Sequence, residues 1–197
     1  MKTWVVVLIK DFDSAKQRLR PALGVRSRRA LARRNARLAV AAAAAGDHVL
    51  VVAGSEEVAE VVGALGVEVL LEPREEGQNV AARRGINHAV ASGAAAVLVL
   101  SSDLPLVTRA AVADLIRYGS RLSPPAAVAV PALGRGGTNA LYLRPPDAIG
   151  LHFGDESLAK FRADADSRGV ELMIHHSEAI ALDLDEPSDL ARLSRAV

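Results

Sequence analysis

The sequence predicts an α/β domain built on a mostly parallel mixed sheet with helices on both faces. Three observations predict it. Short β-branched runs alternate with helical stretches over the first 120 residues, the pattern that lays parallel strands side by side beneath crossover helices. The early runs are apolar throughout instead of alternating, as strands buried on both faces are. The apolar half of the composition is mainly Ala, Val and Leu, with aromatics at 3%, which favours helices lying close on a sheet over a sandwich with an aromatic core. A chain of 197 residues suits one domain, 1–197, with a full-sized core.

Taken in order, Thr3–Ile9 (TWVVVLI) reads as a buried strand. Ser27–Ala45 reads as a long helix with Ser27 as N-cap and Gly46 as its stop. His48–Ala53 is a second strand, and Ser55 caps a helix through Leu65 whose Glu56-Glu57 opening suits the helix dipole. Val67–Leu71 is a third strand, Asn79–Ser92 a helix, and Ala95–Leu100 a fourth strand ending at Ser101-Ser102-Asp103. Thr108–Gly119 is helical. Ala126–Pro131 and Asn139–Leu143 read as strand partners joined by the glycine-rich Gly134–Gly137. Ser157–Ser167 is a helix, Glu171–His175 and Ala179–Leu184 are late strands, and Ser188–Ala196 closes the chain as a helix. Pro124-Pro125 and Pro145-Pro146 read as turns within the one domain.

Charge and composition exclude several classes. The formal net charge is +1, so there is no global field to recruit nucleic acid. The basic residues are nevertheless concentrated between Lys10 and Arg37, which suits a polyphosphate ligand, a solvated helix face being the alternative for the arginines after Arg20. Cysteine is absent, ruling out disulfides and thiolate metal sites. No run approaches the ~20 apolar residues of a membrane span, and Trp4–Ile9 is too short for a signal sequence, so a cytoplasmic location is expected. No GxxxxGK[ST] loop occurs, which excludes a P-loop NTPase.

In an open parallel sheet the ligand lies beyond the carboxyl ends of the strands, so the polar residues that follow each strand are the candidates. After the first strand come Lys10 and Lys16; after the fourth comes Asp103; after a late strand, Asp183 and Asp185 flank Leu184. In an extended segment Asp183 and Asp185 project from one face, and a cation between them would relieve their repulsion. Mg²⁺ fits, taking a few carboxylates and completing its shell with water and phosphate. The alternative is that Asp185 caps the helix beginning near Pro187. Asp103 ends the most apolar strand, where an unpaired carboxylate is costly, although an Asx-turn would also place one there. The Gly134–Asn139 loop lets backbone amides approach an anion, as do Gly154 and Ser157 at a helix N-terminus. The amides of Gln78 and Asn79 could pair with a base edge, or Asn79 could cap its helix.

The stretches Lys10…Ser14-Ala15-Lys16-Gln17-Arg18-Leu19, Gly77-Gln78-Asn79, Ser101-Ser102-Asp103-Leu104-Pro105-Leu106, Gly137-Thr138-Asn139-Ala140-Leu141, Phe153-Gly154-x-x-Ser157 and Leu182-Asp183-Leu184-Asp185-x-Pro187-x-Asp189-Leu190 occur in this order. Together they resemble the 2-phospho-L-lactate/phosphoenolpyruvate guanylyltransferases of coenzyme F-420 biosynthesis, over nearly the whole chain. The resemblance implies a Rossmann-like fold of the nucleotide-diphospho-sugar-transferase type, and a reaction in which GTP and a phosphorylated C3 acid give a guanylylated acid and pyrophosphate. It implies Mg²⁺ on Asp103, Asp183 and Asp185, with Lys16 beside them in the catalytic group. It implies the acceptor on Thr138, Gly154 and Ser157, and the nucleotide on Lys10, Lys16, Gly77, Gln78 and Asn79. The chain departs from the family at Leu8-Ile9-Lys10, where Val-Pro-x-Lys is frequent, and at Gln78, where Leu is usual; both lie on the nucleotide side.

Two other readings are weighed against this one: a nucleotidyltransferase using another NTP or acceptor (a sugar phosphate, the molybdenum cofactor or 3-phosphoglycerate), and a nucleotide-binding domain without chemistry. The glycine-rich loop that many such proteins carry after the first strand is absent from Leu8–Leu19. GTP and a small acid are the expected partners, without nucleic acid or membrane, and the Ala-rich helices leave room for a homodimer.

Overall fold

β1 (Thr3–Ile9) runs through the middle of the sheet with all its residues buried. The structure, a computed structural model, describes residues 1–134 and 136–196. Along β1 the side chains alternate between two apolar layers. Val5, Val7 and Ile9 join one core with Ala36, Ala39, Val58 and Leu115, while Trp4, Val6 and Leu8 join the other with Ala82, Ile86 and Phe161. That double burial is why the run is apolar at every position.

Around β1 stand β2 (His48–Ala53), β3 (Glu68–Leu71), β4 (Ala96–Ser101), β5 (Ala126–Pro131), β6 (Thr138–Arg144) and β7 (Leu172–Ile174), giving one seven-stranded sheet in the order β3-β2-β1-β4-β6-β5-β7. β1, β2, β3 and β4 are parallel; β6 runs antiparallel to both β4 and β5, and β5 is parallel to β7. The expected mostly parallel sheet is therefore present, and β6 alone reverses direction. The chain moves outward from β1 through β2 to β3 and then returns to add β4 on the other side, so the order reverses between β1 and β4. A crevice opens beyond the strand ends at such a switch point.

The helices are α1 (Val25–Ala43), α2 (Glu56–Gly63), α3 (Gln78–Ala91), α4 (Arg109–Arg121), α5 (Ser157–Ser167), α6 (Glu178–Ala181) and α7 (Pro187–Ala196). α3 lies directly on the sheet because Gly85 has no Cβ; one placed there would collide with Val6 and Val52. Ser55 and Thr108 cap α2 and α4 through the Val58 and Ala111 amides, as their positions suggest.

Three local expectations are corrected. α1 starts before Ser27: its N-cap is Gly24, and the first turn closes by the Arg28 amide donating to the Gly24 carbonyl at 3.0 Å. The strand expected at Ala179–Leu184 is instead α6 followed by an extended segment outside the sheet. Its alternating Ile180, Leu182 and Leu184 are buried as a strand's would be. Its carbonyls, however, are taken by the Asn139 side-chain amide (Ile180 at 2.9 Å, Ala181 at 3.0 Å) and the Leu133 amide (Ala181 at 2.8 Å), which removes it from ladder pairing. Finally, the helix-start role weighed as the alternative for Asp185 is filled by a different carboxylate. Buried Asp189, in the first turn of α7, accepts from the Asp185 and Glu186 amides at 3.0 and 2.8 Å, the return half of a capping box. Among the described residues no helix is long and apolar enough to cross a membrane.

Candidate active site

The carboxyl ends of β1 and β4 open into a cleft of about 390 Å³. It is lined by Leu8, Lys10, Lys16, Gly77, Gln78 and Asp103, together with Arg18 and Asp185. A second lobe of about 190 Å³ is lined by Gly137, Thr138, Asn139 and Asp183. Lys10, Arg18, Gln78, Ser101, Asp103, Gly154, Asp155 and Asp185 border both lobes, so the two form one bent cavity. Of the residues expected on the nucleotide side, Lys16 and Gly77 line the larger lobe alone; of those expected around the acceptor, Thr138 lines the smaller alone; Lys10, Gln78 and Gly154 border both.

Local backbone explains how each group arrives. Lys16 stands at φ 60°, a left-handed conformation that a β-carbon disfavours. This turns its side chain inward, where it is fully buried. Its Nζ donates to Asp103 Oδ1 at 2.7 Å and to the Leu184 carbonyl at 2.5 Å. The Leu184 amide in turn donates to the Asp103 carbonyl at 3.0 Å. A lysine after β1, a carboxylate after β4 and the crossing segment 182–186 are thereby tied into one knot. Buried Leu184 anchors that segment, and Asp183 and Asp185 on either side of it both border the smaller lobe.

The charges are partly matched. Asp103 remains 42% exposed on the cleft side, and Arg18 Nη1 reaches Asp185 Oδ2 at 2.9 Å. Among the described residues no three His, Cys, Asp or Glu side chains already converge on one ion position. The three aspartates instead border one cavity; Asp103 pairs with Lys16 and Asp185 with Arg18.

The acceptor-side residues differ in depth. Thr138 and Gly154 line the smaller lobe. Ser157 is fully buried, and its hydroxyl donates to Thr138 Oγ1 at 3.0 Å, so it acts on the lobe through Thr138. Gly154 has φ 120°, open to glycine and strained for any other residue. The loop before it is pinned by Asp164, whose carboxylate accepts from the Gly150 amide. Burial pushes the Asp164 carboxyl up, but the Gly150 hydrogen bond and the Arg168 and His152 partners outweigh that and hold it below the usual carboxylate range.

On the nucleotide side, Lys10, Gly77 and Gln78 line the cleft, but Asn79 does not. Its side chain pairs with the Phe153 backbone, Oδ1 accepting from the amide at 2.7 Å and Nδ2 donating to the carbonyl at 3.0 Å. It neither caps α3, whose N-cap is Gly77, nor presents its amide to a base. Of the arginine-rich stretch, Arg29 and Arg33 pair with Glu57, and Arg33 foremost holds that carboxyl below its ordinary range. Those two belong to an ion-paired helix face. Arg18 is the arginine that reaches the cleft. Arg18, Ser101 and Asp155 had no role assigned from the sequence; Arg18 was one of two further cations, with Arg20, in the loop that carries Lys10 and Lys16.

The chain matches the family described as guanylyl transferase CofC like over residues 3–194. It is 39% identical to a phosphoenolpyruvate guanylyltransferase of Rubrobacter xylanophilus, covering 98% of this chain and 94% of that one. It is 35% identical to the enzyme of the same name from Conexibacter woesei, covering 100% and 89%. It is also 34% identical to a 2-phospho-L-lactate guanylyltransferase of Methanothermobacter thermautotrophicus, covering 98% and 84%. Among solved structures, a protein assigned as a nucleotide-diphospho-sugar transferase from Desulfovibrio desulfuricans G20 superposes with a TM-score of 0.77 at 18% identity, covering 100% of this chain and 88% of that one. Rv0371c of Mycobacterium tuberculosis, solved in complex with manganese, superposes with a TM-score of 0.58 at 19% identity, covering 100% of each. These likenesses carry the fold: a nucleotide-diphospho-sugar-transferase-type sheet, as the family resemblance implied.

Proposed function

The chain belongs to the family of CofC-like guanylyl transferases, and from that premise we propose that it joins GMP from GTP to phosphoenolpyruvate or 2-phospho-L-lactate, releasing pyrophosphate, in the route to coenzyme F-420. One observation carries the assignment of the site. The bent cavity at the β1/β4 switch point has a larger and a smaller lobe with shared walls of opposite charge. Two phosphorylated substrates bound there meet at Lys10, Arg18, Asp103 and Asp185.

The reaction is an in-line displacement. An oxygen of the acceptor phosphate forms a bond to the α-phosphorus of GTP as the bond from that phosphorus to the bridging oxygen of pyrophosphate breaks. The attacking oxygen is already ionised near neutral pH, so no side chain has to remove a proton. The obstacle is bringing two polyanions together, and positioning with charge neutralisation carries the rate. Lys10 and Arg18 border both lobes and screen the triphosphate. Lys16 holds Asp103 against the segment that carries Asp183 and Asp185. Thr138, steadied by Ser157, and the Gly154 backbone receive the acceptor.

A divalent cation, Mg²⁺ by preference, is part of this proposal. The donor set fits: hard carboxylate oxygens of Asp103, Asp183 and Asp185 border one cavity, and the pairing of two of them with Lys16 and Arg18 marks a place where positive charge is favoured. With few protein ligands, such an ion would complete its shell from water and phosphate oxygens, and when bound it would stabilise negative charge on the reacting phosphates. The purified protein is tested by pyrophosphate release from GTP, ATP, CTP and UTP with phosphoenolpyruvate, 2-phospho-L-lactate and 3-phosphoglycerate, with and without chelator, and by the mass of each product. A guanylylated acid formed only with divalent metal is expected. Release with another NTP alone, or undiminished turnover in chelator, would refute the donor or the metal assignment respectively.

A further inference from the structure

Asn79 lines neither lobe, but it stands between two residues that border both, following Gln78 in sequence and bonding to Phe153, which precedes Gly154. It belongs to the first turn of α3, next to Gln78, which borders both lobes, and Gly77, which borders the larger. Its amide engages both backbone polar groups of Phe153, the residue before Gly154. A side-chain amide that accepts from and donates to the same residue imitates one rung of a sheet ladder, and each bond completes the other's geometry.

The link continues. The Gly154 carbonyl accepts from the Ser157 amide at 3.2 Å, and Ser157 donates its hydroxyl to Thr138. Phe153 itself packs edge-on against Phe161 of α5 at 5.2 Å and lies in the same apolar layer as Ala81 and Ala82 of α3. A path of hydrogen bonds and one peptide link therefore runs from the α3 N-terminus, where Gly77 lines the larger lobe, through Asn79, Phe153, Gly154 and Ser157 to Thr138 of the smaller lobe.

We infer that Asn79 is a positioning residue that couples the two substrate sites: a nucleotide seated against the Gly77-Gln78 turn fixes Asn79, which sets Gly154 and, through Ser157, Thr138 for the acid. This rests on the proposed guanylyl transfer. Energetic coupling between sites is reciprocal, so each ligand tightens the other's binding by the same factor. The placement also explains how a residue beside the nucleotide turn serves the reaction without touching the base.

The test is isothermal titration with a GTP analogue bearing a methylene group between the α- and β-phosphates, which cannot release pyrophosphate, and phosphoenolpyruvate, in Mg²⁺. In the native protein, saturating analogue should tighten phosphoenolpyruvate binding at least about fivefold, the lower end for coupled sites, and the reverse titration should give the same factor. Asn79→Ala removes both bonds; Asn79→Asp keeps the acceptor for the Phe153 amide but turns a carboxylate oxygen toward its carbonyl. In each the factor should fall below about twofold, with the affinity for analogue alone nearly unchanged. A purely structural role would lower the melting temperature and leave the factor intact, and that result, or the absence of coupling in the native protein, overturns the inference. If neither ligand binds the native protein, the proposed function itself falls. Hydrogen exchange on the native protein needs no variant: the analogue alone should slow exchange at the Phe153 amide, and unchanged exchange there argues equally against coupling.

Discussion

Replacing Lys16 by methionine should uncouple the stability of the knot from the chemistry of the cleft. Methionine keeps most of the aliphatic stem and the same left-handed backbone, so the packing and the strain at φ 60° largely cancel in the comparison. What is lost is the ammonium. Its bond to the Leu184 carbonyl is fully buried on the lysine side, and a hydrogen bond to a charged group contributes about 1.5–3 kcal/mol. The ion pair with Asp103 is discounted, because that carboxylate is 42% exposed and exposed pairs contribute only about 0.2–1 kcal/mol. The total, roughly 2–4 kcal/mol, corresponds to a melting temperature lower by about 4–15 °C for a chain of this size. Asp103→Asn keeps an acceptor for Lys16 and faces water, so its melting shift should be the smaller of the two even though its turnover loss is large. Scanning calorimetry and circular dichroism melts on both variants decide the matter. A Lys16→Met protein that melts within about 1 °C of the native one, or an Asp103→Asn protein that melts lower than it, would show that the Leu184 bond does not anchor the crossing segment.

Three further outcomes are expected. Asp103→Asn and Asp183→Asn should each reduce turnover at least about 100-fold, the effect of losing one electrostatic element, in a pyrophosphate-release assay; near-native rates in both would remove these aspartates from the proposed metal site. Ser157→Ala frees Thr138 to rotate and should raise KM for the acid more than for GTP, whereas equal effects would show that Ser157 does not orient Thr138 for the acceptor. Asp164 is held low in the folded protein. Its stabilisation is therefore present above the unfolded value of about 3.9 and is lost as pH falls through the lower folded value. Melts of the native protein and Asp164→Asn should differ by a constant amount near neutrality and converge below about pH 4; a gap that persists or widens on acidification would contradict that sign.

The sequence by itself determined the elements whose signals are local. β1, β2, β5 and α5 lie where apolar runs and helical periodicity put them, because burial on both faces demands an uninterrupted run and a helix repeats within the reach of neighbouring residues. The Ser55 cap acts on the Val58 amide three residues away and was legible for the same reason, whereas Ser27 was not the cap of α1. The residues picked out after the strand ends, Lys10, Lys16, Asp103, Asp183 and Asp185, line the cavity, since an open parallel sheet fixes where its crevice lies.

Tertiary structure decided whatever depends on partners distant in the chain. Ile180, Leu182 and Leu184 alternate like a strand, but the Asn139 amide claims the segment's carbonyls from 41 and 42 residues away, and no local pattern records that. The same distance hid the division of labour in the site: Asn79 turns to Phe153, 74 residues on, and Ser157 turns to Thr138 instead of the cavity. Lys16 lies 168 residues from the carbonyl it holds. A charged or polar side chain advertises its chemistry in the sequence; which partner satisfies it depends on how the folded backbone brings remote groups within the roughly 3 Å of a hydrogen bond.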